Sequence, residues 1–399
     1  MNHNWQKTTL GEVSRIVGRI GFRGYRRDDY VNSEADGAIS LSPSNIVNSK
    51  LDFSNCTYIT WEKYNESPEI MIYPQDIILV KTASVGKCAI VKNIPHECTI
   101  NPQFVVLKDI AINQDFLYYQ ILSSSFQSKL KAITSGTSVP TLSQKNLANV
   151  DLFYPCIEEQ LRIVNELDAI VLLRELLLLE KTNLGLLELS IFYDSFGNPV
   201  TNPKDWQTFS LSDITSLITD GSHYSPKNDE MGTIPMLSVK NMGTRGFDYT
   251  DCKMISQEEY VKLEAAGCKP MPDDVLVAKD GSYFKKIFVH QSEAPQAILS
   301  SIAIVRPDQS KVTPEFLCSL LSTPDIYNLV EERYLTGTAI KRVILKGLRQ
   351  LKIIVPPIEI QKQFSEKIWR INAQRNLIEE SVVEAQKLFD SRMNYYFGD

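Results

Sequence analysis

Four arginines fall within ten residues near the start of the chain, in Gly18-Arg19-Ile20-Gly21-Phe22-Arg23-Gly24-Tyr25-Arg26-Arg27. Arginine presents a planar fork of donors that meets phosphate oxygens, or the guanine edge, two bonds at a time. A second basic set, Lys279-Asp280-Gly281-Ser282-Tyr283-Phe284-Lys285-Lys286, lies in the other half of the chain, with Lys341-Arg342 after it. Asn45 and Asn241 stand at matching positions and are of the type that reads adenine. A solvated loop is the commoner explanation for any one of these residues. Taken as sets, the loops favour contact with DNA. The candidate contacts in the first half are Arg19, Arg23, Tyr25, Arg26, Arg27, Ser44, Asn45, Lys81, Ser84, Lys87 and Thr137. Those in the second half are Ser222, His223, Tyr224, Lys240, Asn241, Lys279, Ser282, Tyr283, Lys285, Lys286, Thr338, Lys341 and Arg342.

Nothing in the sequence forms a catalytic constellation. Gly86-Lys87 is followed by Cys88, and no glycine stands five residues before Gly86, so there is no phosphate-cradling Walker loop. No glycine-rich dinucleotide fingerprint follows a strand. Seven scattered cysteines, none spaced Cys-x-x-Cys, and four histidines make a metal site unexpected. Pro272-Asp273 could begin a nuclease-like carboxylate cluster, but Val277 stands where the partner acid belongs, so a turn into a strand is the expectation. The opening residues lack the apolar core of a signal peptide, and the most apolar run, residues 171–179, is interrupted by Arg174 and Glu175. A cytoplasmic protein with no membrane segment is expected.

The net charge of −6 argues against tight binding to nucleic acid until it is divided along the chain. Residues 156–200 hold 3 basic and 8 acidic side chains, whereas residues 1–155 hold 15 and 14. The pattern repeats less strongly later, with 18 and 19 in residues 201–355 and 6 and 7 in residues 356–399. The basic loops therefore sit in nearly neutral segments. Such a chain should bind DNA weakly alone and draw most phosphate attraction from a partner.

The elements that must position these loops occur twice. Trp5 matches Trp206, and Leu10, Val13 and Ile16 match Leu211, Ile214 and Leu217, all at an offset of 201. Within the unit the offset drifts: Asn45 meets Asn241, Pro74-x-Asp76 meets Pro272-x-Asp274, and Lys81 meets Lys279. It then returns, so that Gly136-Thr137 meets Gly337-Thr338 and Gln160 meets Gln361. The chain is an internal duplication.

Each copy opens with about 150 residues of short β-like runs, at 76–80, 88–91 and 103–107, between Gly, Pro and Asn clusters. Helical pieces are expected at 114–122 and 314–321. This reads as an α+β globular domain. Each copy then ends in a long helix, the first expected over 157–192. Apolar residues recur there at alternating steps of four and three. The seam is Ile163, Leu167, Ile170, Arg174, Leu177 and Leu184 in one copy, and Phe364, Ile368, Ile371, Arg375, Ile378 and Val382 in the other. A heptad seam this long favours the two helices packing on each other as an antiparallel coiled coil, with a pseudo-two-fold relation between the copies, over the alternative in which each packs on its own domain. The expected boundaries are 1–155, 156–200, 201–355 and 356–399.

Several segments carry a family likeness. Phe196-Gly197-Asn198-Pro199-Val200-Thr201-Asn202-Pro203-Lys204-Asp205-Trp206 resembles the junction in specificity subunits of type I restriction–modification systems. Pro155-Cys156-Ile157-Glu158-Glu159-Gln160 and Pro356-Pro357-Ile358-Glu359-Ile360-Gln361 resemble the start of that family's two long helices, although Cys156 and Ile360 depart from the pattern. The resemblance covers essentially the whole chain. It implies two target-recognition domains, each reading half of a bipartite site in double-stranded DNA, with the helices setting the spacer. It implies a non-catalytic subunit that recruits two modification (methyltransferase) subunits and then restriction (helicase-nuclease) subunits. S-adenosylmethionine, ATP and Mg2+ would be used on those partners and none bound by this chain. A duplicated protein-binding scaffold without DNA recognition is the alternative.

Overall fold

The computed structural model describes residues 5–19, 24–136, 138–281, 283–336 and 342–398. The chain divides into two compact units, and the division passes through both long helices. One unit holds Met1–Leu177 with Ser381–Asp399, and the other holds Leu178–Glu380. The segments expected at 156–200 and 356–399 thus form no units of their own. Each helix gives one half to either globular part.

In the first unit an antiparallel sheet runs in the order Arg15–Val17, Phe104–Lys108, Ile77–Val80, Cys88–Ile90. A second sheet runs Cys98–Ile100, Gly37–Leu41, Thr57–Thr60, Tyr30–Val31, its first pair parallel. The central strands are apolar at nearly every position because both of their faces are covered. Ile78, Val80 and Val106 point into the core beneath the second sheet, with Ile39 and Leu41. Ile77, Leu79, Val105 and Leu107 point the other way, into a core shared with Phe116, Ile163, Leu167 and Phe397. That second core is where the long helices attach.

The second unit repeats the plan. Its antiparallel sheet runs Thr215–Asp220, Ile302–Pro307, Val275–Ala278, Ile287–Val289. Its smaller sheet has three strands, Ala297–Ile298, Ile234–Leu237 and Lys253–Ile255. The helices Gln114–Leu122 and Pro314–Leu321 form where periodicity predicts them, capped by Asn113 and Thr313. The first long helix runs Ile157–Phe196, four residues past the expected end, and is about 60 Å long. It stops where Gly197 takes a positive φ of 77°, a conformation glycine adopts without strain.

Within each unit the helix halves run antiparallel and bond to each other. In the first, Ile163, Leu167 and Ile170 are buried, Arg174, Leu177 and Val382 are half-buried, and Glu166 meets Arg392 and Tyr396. In the second, Leu184, Phe364, Ile368, Ile371, Arg375 and Ile378 are buried, and Lys181 pairs with Glu379 at 2.8 Å. Among the described residues no helix is long and apolar enough to cross a membrane.

A repeated glutamine fastens each globular part to its helix. Gln160 Oε1 accepts from the Asn113 backbone N–H at 2.9 Å, and its Nε2 donates to the Pro155 carbonyl at 2.8 Å. Gln361 does the same with the Thr313 N–H (3.0 Å) and the Pro356 carbonyl (2.7 Å), and adds the Lys311 carbonyl at 3.0 Å. Gln361 is fully buried, so removing its amide strands several backbone groups away from water. Gln361→Ala is expected to lower unfolding free energy by about 2 kcal/mol in denaturant titration, whereas Lys362→Ala, on the exposed face, should change it little.

His290 sets a pH dependence. Its ring is buried beside Gln296, with the two Nε2 atoms 3.0 Å apart. Burial pushes its pKa below the ordinary imidazole value of 6.5, and the Ser292 backbone and the Asp274 carboxylate only partly oppose this. Below pH 6.5 the unfolded state therefore binds more protons than the folded state, and acid favours unfolding. Melting followed from pH 7.5 to 5 should show wild type losing more stability than His290→Gln; equal losses would remove His290 from the account.

Candidate nucleic-acid interface

Strand ends bring the basic loops of each globular part together. In the first unit, the Lys81 N–H donates to the Gln103 carbonyl at 2.8 Å and the Ala83 N–H to the Pro140 carbonyl at 2.9 Å. Lys87 Nζ reaches the Pro43 carbonyl at 3.0 Å. Ser44, Lys81, Ser84 and Lys87 thus share one end of the sheet with the segment around Pro140. Ser44, Ser84 and Lys87 are exposed there, as are Arg26 and Arg27 on a separate turn. Arg23 and Thr137 lie outside the described residues.

In the second unit, Lys279 anchors the corresponding end. Its N–H donates to the Ser301 carbonyl and its carbonyl accepts from the Val343 N–H, both at 3.0 Å. Ser222 bridges to Leu299, Val239 N–H donates to Ser301 Oγ at 3.1 Å, and Lys286 Nζ holds the Met242 carbonyl. His223, Tyr224, Lys240, Lys285 and Arg342 are exposed around these anchors. Ser282, Thr338 and Lys341 lie outside the described residues.

Several expected contacts turn inward instead. Asn45 is 4% exposed: its Oδ1 accepts from Ser42 N–H (2.9 Å), and its Nδ2 donates to the Asp52 and Asn55 carbonyls. Asn241 repeats this with Ser238 N–H (3.1 Å) and the Asp248 carbonyl (3.3 Å). Both amides close a loop, and neither is free to read adenine. Their matched positions in sequence reflect a shared turn. Arg19 is buried, its guanidinium 4.1 Å over the Tyr25 ring and 3.4 Å from Glu66, while the Tyr25 hydroxyl donates to the Ile100 carbonyl at 2.8 Å. Tyr283 is buried, stacked on Tyr327 and donating to Glu331 at 2.8 Å.

Lys279 and Lys81 stand at the same place on the repeated plan but differ electrostatically. Lys279 is buried and paired with Asp220 at 2.8 Å, so its charge is already matched within the fold. Lys81 is half-buried, and burial pushes its pKa below the usual lysine value of 10.5. A phosphate beside Lys81 would restore the lost stabilisation of its charge.

The carboxylates near the turns are structural. Asp274 is fully buried and accepts from Nε and Nη2 of Arg306, at 2.7 and 2.8 Å. Asp76 pairs with Lys108 at 2.5 Å on the matching strand. Asp273 has a positive φ of 69°, as does Gln75 at 75°, which makes each a turn into the following strand.

Arg245 is a positioning residue that no repeat or charge run marks. Its Nη2 reaches Glu188 Oε2 at 2.6 Å and its Nη1 bonds Asn372, tying a loop of the globular part to both helix halves. Glu188 lies four residues after Leu184, in step with the seam, but Arg245 stands in an unremarkable Gly-Thr-Arg-Gly turn.

The type I restriction modification DNA specificity domain matches the chain twice, at residues 2–183 and 203–384. The MjaIX type I restriction enzyme specificity subunit of Methanocaldococcus jannaschii is 25% identical over 328 residues, covering 76% of this chain and 72% of that one. A second specificity subunit from that organism, MjaX, is also 25% identical, but over 171 residues that span only 41% of this chain and 39% of the relative. The fold is shared with the S subunit of a type I restriction–modification system from M. genitalium, with a TM-score of 0.56 at 14% identity, covering 100% of this chain and 97% of that one. Two copies of the domain, on the same sheet order and each completed by halves of two long helices, place this chain in the type I restriction–modification DNA specificity family.

Proposed function

We propose that each globular part reads one half of a bipartite DNA site, and that the chain does so as a non-catalytic subunit. The carrying observation is that one repeated plan supports two different loop sets at the same sheet end. In one unit Lys81 has no acid beside it among the described residues; in the other Asp220 neutralises Lys279. A shared scaffold with divergent loops suits two reading heads of different specificity.

The helices in this reading set the spacer and carry the modification subunits. Leu172, Leu173 and Leu176 of the first unit are exposed, as are Leu186, Trp369 and Leu377 of the second. Large apolar side chains left in water along a helix favour a protein partner. The modification subunits would supply methyl transfer from S-adenosylmethionine, and restriction subunits the ATP- and Mg2+-dependent steps, in the cytoplasm. The partners would also supply most of the phosphate attraction that this acidic chain lacks.

Two measurements test this. With the modification subunit present, Lys81→Ala should weaken binding to all sequences and reduce the slope of log affinity against log salt by about one. Lys279→Met should leave that slope unchanged, since Asp220 already holds the charge. An unchanged slope in Lys81→Ala would exclude it as a phosphate contact. Inserting one matched heptad in both long helices should lengthen the unread spacer while preserving both half-sites, as read by mapping methylated adenines genome-wide. Altered half-site sequences would instead place the reading elements on the helices.

A further inference from the structure

The two seam arginines occupy equivalent positions, and among the described residues only one of them is paired with a carboxylate. Arg375 in the second unit is 5% exposed and donates from Nη1 to Glu188 at 2.8 Å. Gly185 opposite it leaves room for the guanidinium, since a Cβ there would stand 3.3 Å from Arg375 Nη2. At the offset of 201, Arg174 is the equivalent of Arg375, Gln386 of Gly185, and Phe389 of Glu188. The first unit therefore has a phenyl ring where the second has the counter-charge. Arg174 Nη1 bonds Gln386, and its Nε is buried with no hydrogen-bond partner among the described residues.

Arg174 and Phe389 both line a cavity of about 750 Å³ that lies entirely within the first unit. Its other walls include Lys50, Lys92, Tyr118, Tyr119 and Asp168. The acids there are already engaged. Asp168 accepts from the Tyr119 hydroxyl at 2.5 Å, and Asp115 is paired with Lys92. Lys50 pairs with Glu175 at the exposed rim. Arg174 is left half-buried, with a buried Nε donor that no side chain among the described residues takes up.

We propose that this cavity binds a small organic anion. Its carboxylate or phosphate replaces the missing counterpart of Glu188 at Arg174, and its apolar body lies against Phe389, Tyr118 and Tyr119. The volume is that of a small-molecule pocket, larger than an inorganic ion needs. The walls come from the globular part and from both helix halves of this unit, so an occupant braces the attachment of the reading head to its helices. Binding to the folded state alone then raises thermal stability in proportion to occupancy.

The test uses the full chain with 1-naphthoate, 1-naphthyl phosphate and the neutral 1-naphthalenemethanol, by calorimetry and thermal melting. At least one anion is expected to bind at one site and raise the melting temperature, with the neutral analogue at least about tenfold weaker. Whichever anion binds tighter identifies the headgroup. Arg174→Gln should weaken the anion at least about tenfold. Phe389→Glu should fold, because it builds in the carboxylate that the other unit already carries, and should abolish anion binding. Equal binding of the neutral analogue, or undiminished anion binding by folded Phe389→Glu or Arg174→Gln, would overturn the proposal. So would failure of both anions to bind wild type at millimolar concentration.

Discussion

A buried side-chain amide at the start of each long helix holds the rest of the structure in register. Gln160 and Gln361 each join the cap of a short helix in the globular part to the proline segment just before the long helix. The amide fits because it supplies a donor and an acceptor to backbone groups that would otherwise be buried unpaired. Around it, aromatic rings complete the core. Phe196 packs on Phe316 and Phe364 at 4.7 and 5.1 Å in the second unit, and Phe397 packs on Phe116 at 5.3 Å in the first. Each cluster therefore takes a ring from the end of one long helix. Neither globular part closes its core with its own 150 residues.

That dependence explains why the compact units cut across the helices. A helix is buried by whatever its apolar stripe meets, and the stripe of each helix meets one globular part along its first half and the other along its second. It also explains the conserved order of the sheets in the two copies. The strands that face the helices are constrained on both sides, by the second sheet above and by the helix core below. The loops at the strand ends carry no such constraint, and there the two copies diverge.

Buried charge follows the same division. Where a charged residue serves the frame, it is matched internally, as Asp274 by Arg306, Asp76 by Lys108 and Glu188 by Arg375 and Arg245. Lys81 and Arg174 depart from this pattern. Both retain capacity for an opposite charge that none of the described residues supplies, one at the loop end of the sheet and one in a cavity against the helices.

The sequence by itself determined the duplication, the α+β character, the short helices and the heptad seam. These rest on local periodicity and on spacing between copies, which survive without knowledge of contacts. It also marked Gln160 and Gln361 as repeated, although not why. Tertiary structure alone decided which polar residues face outward. Asn45 and Asn241 looked like readers of adenine because their position repeats, yet the repeat belongs to a turn that consumes their amides. Arg19 sits in the most basic stretch of the chain, yet it is buried against the half-buried Tyr25. Whether a polar side chain is free depends on partners far away in sequence, such as Glu66 and Ile100 for that pair, and no local pattern encodes them.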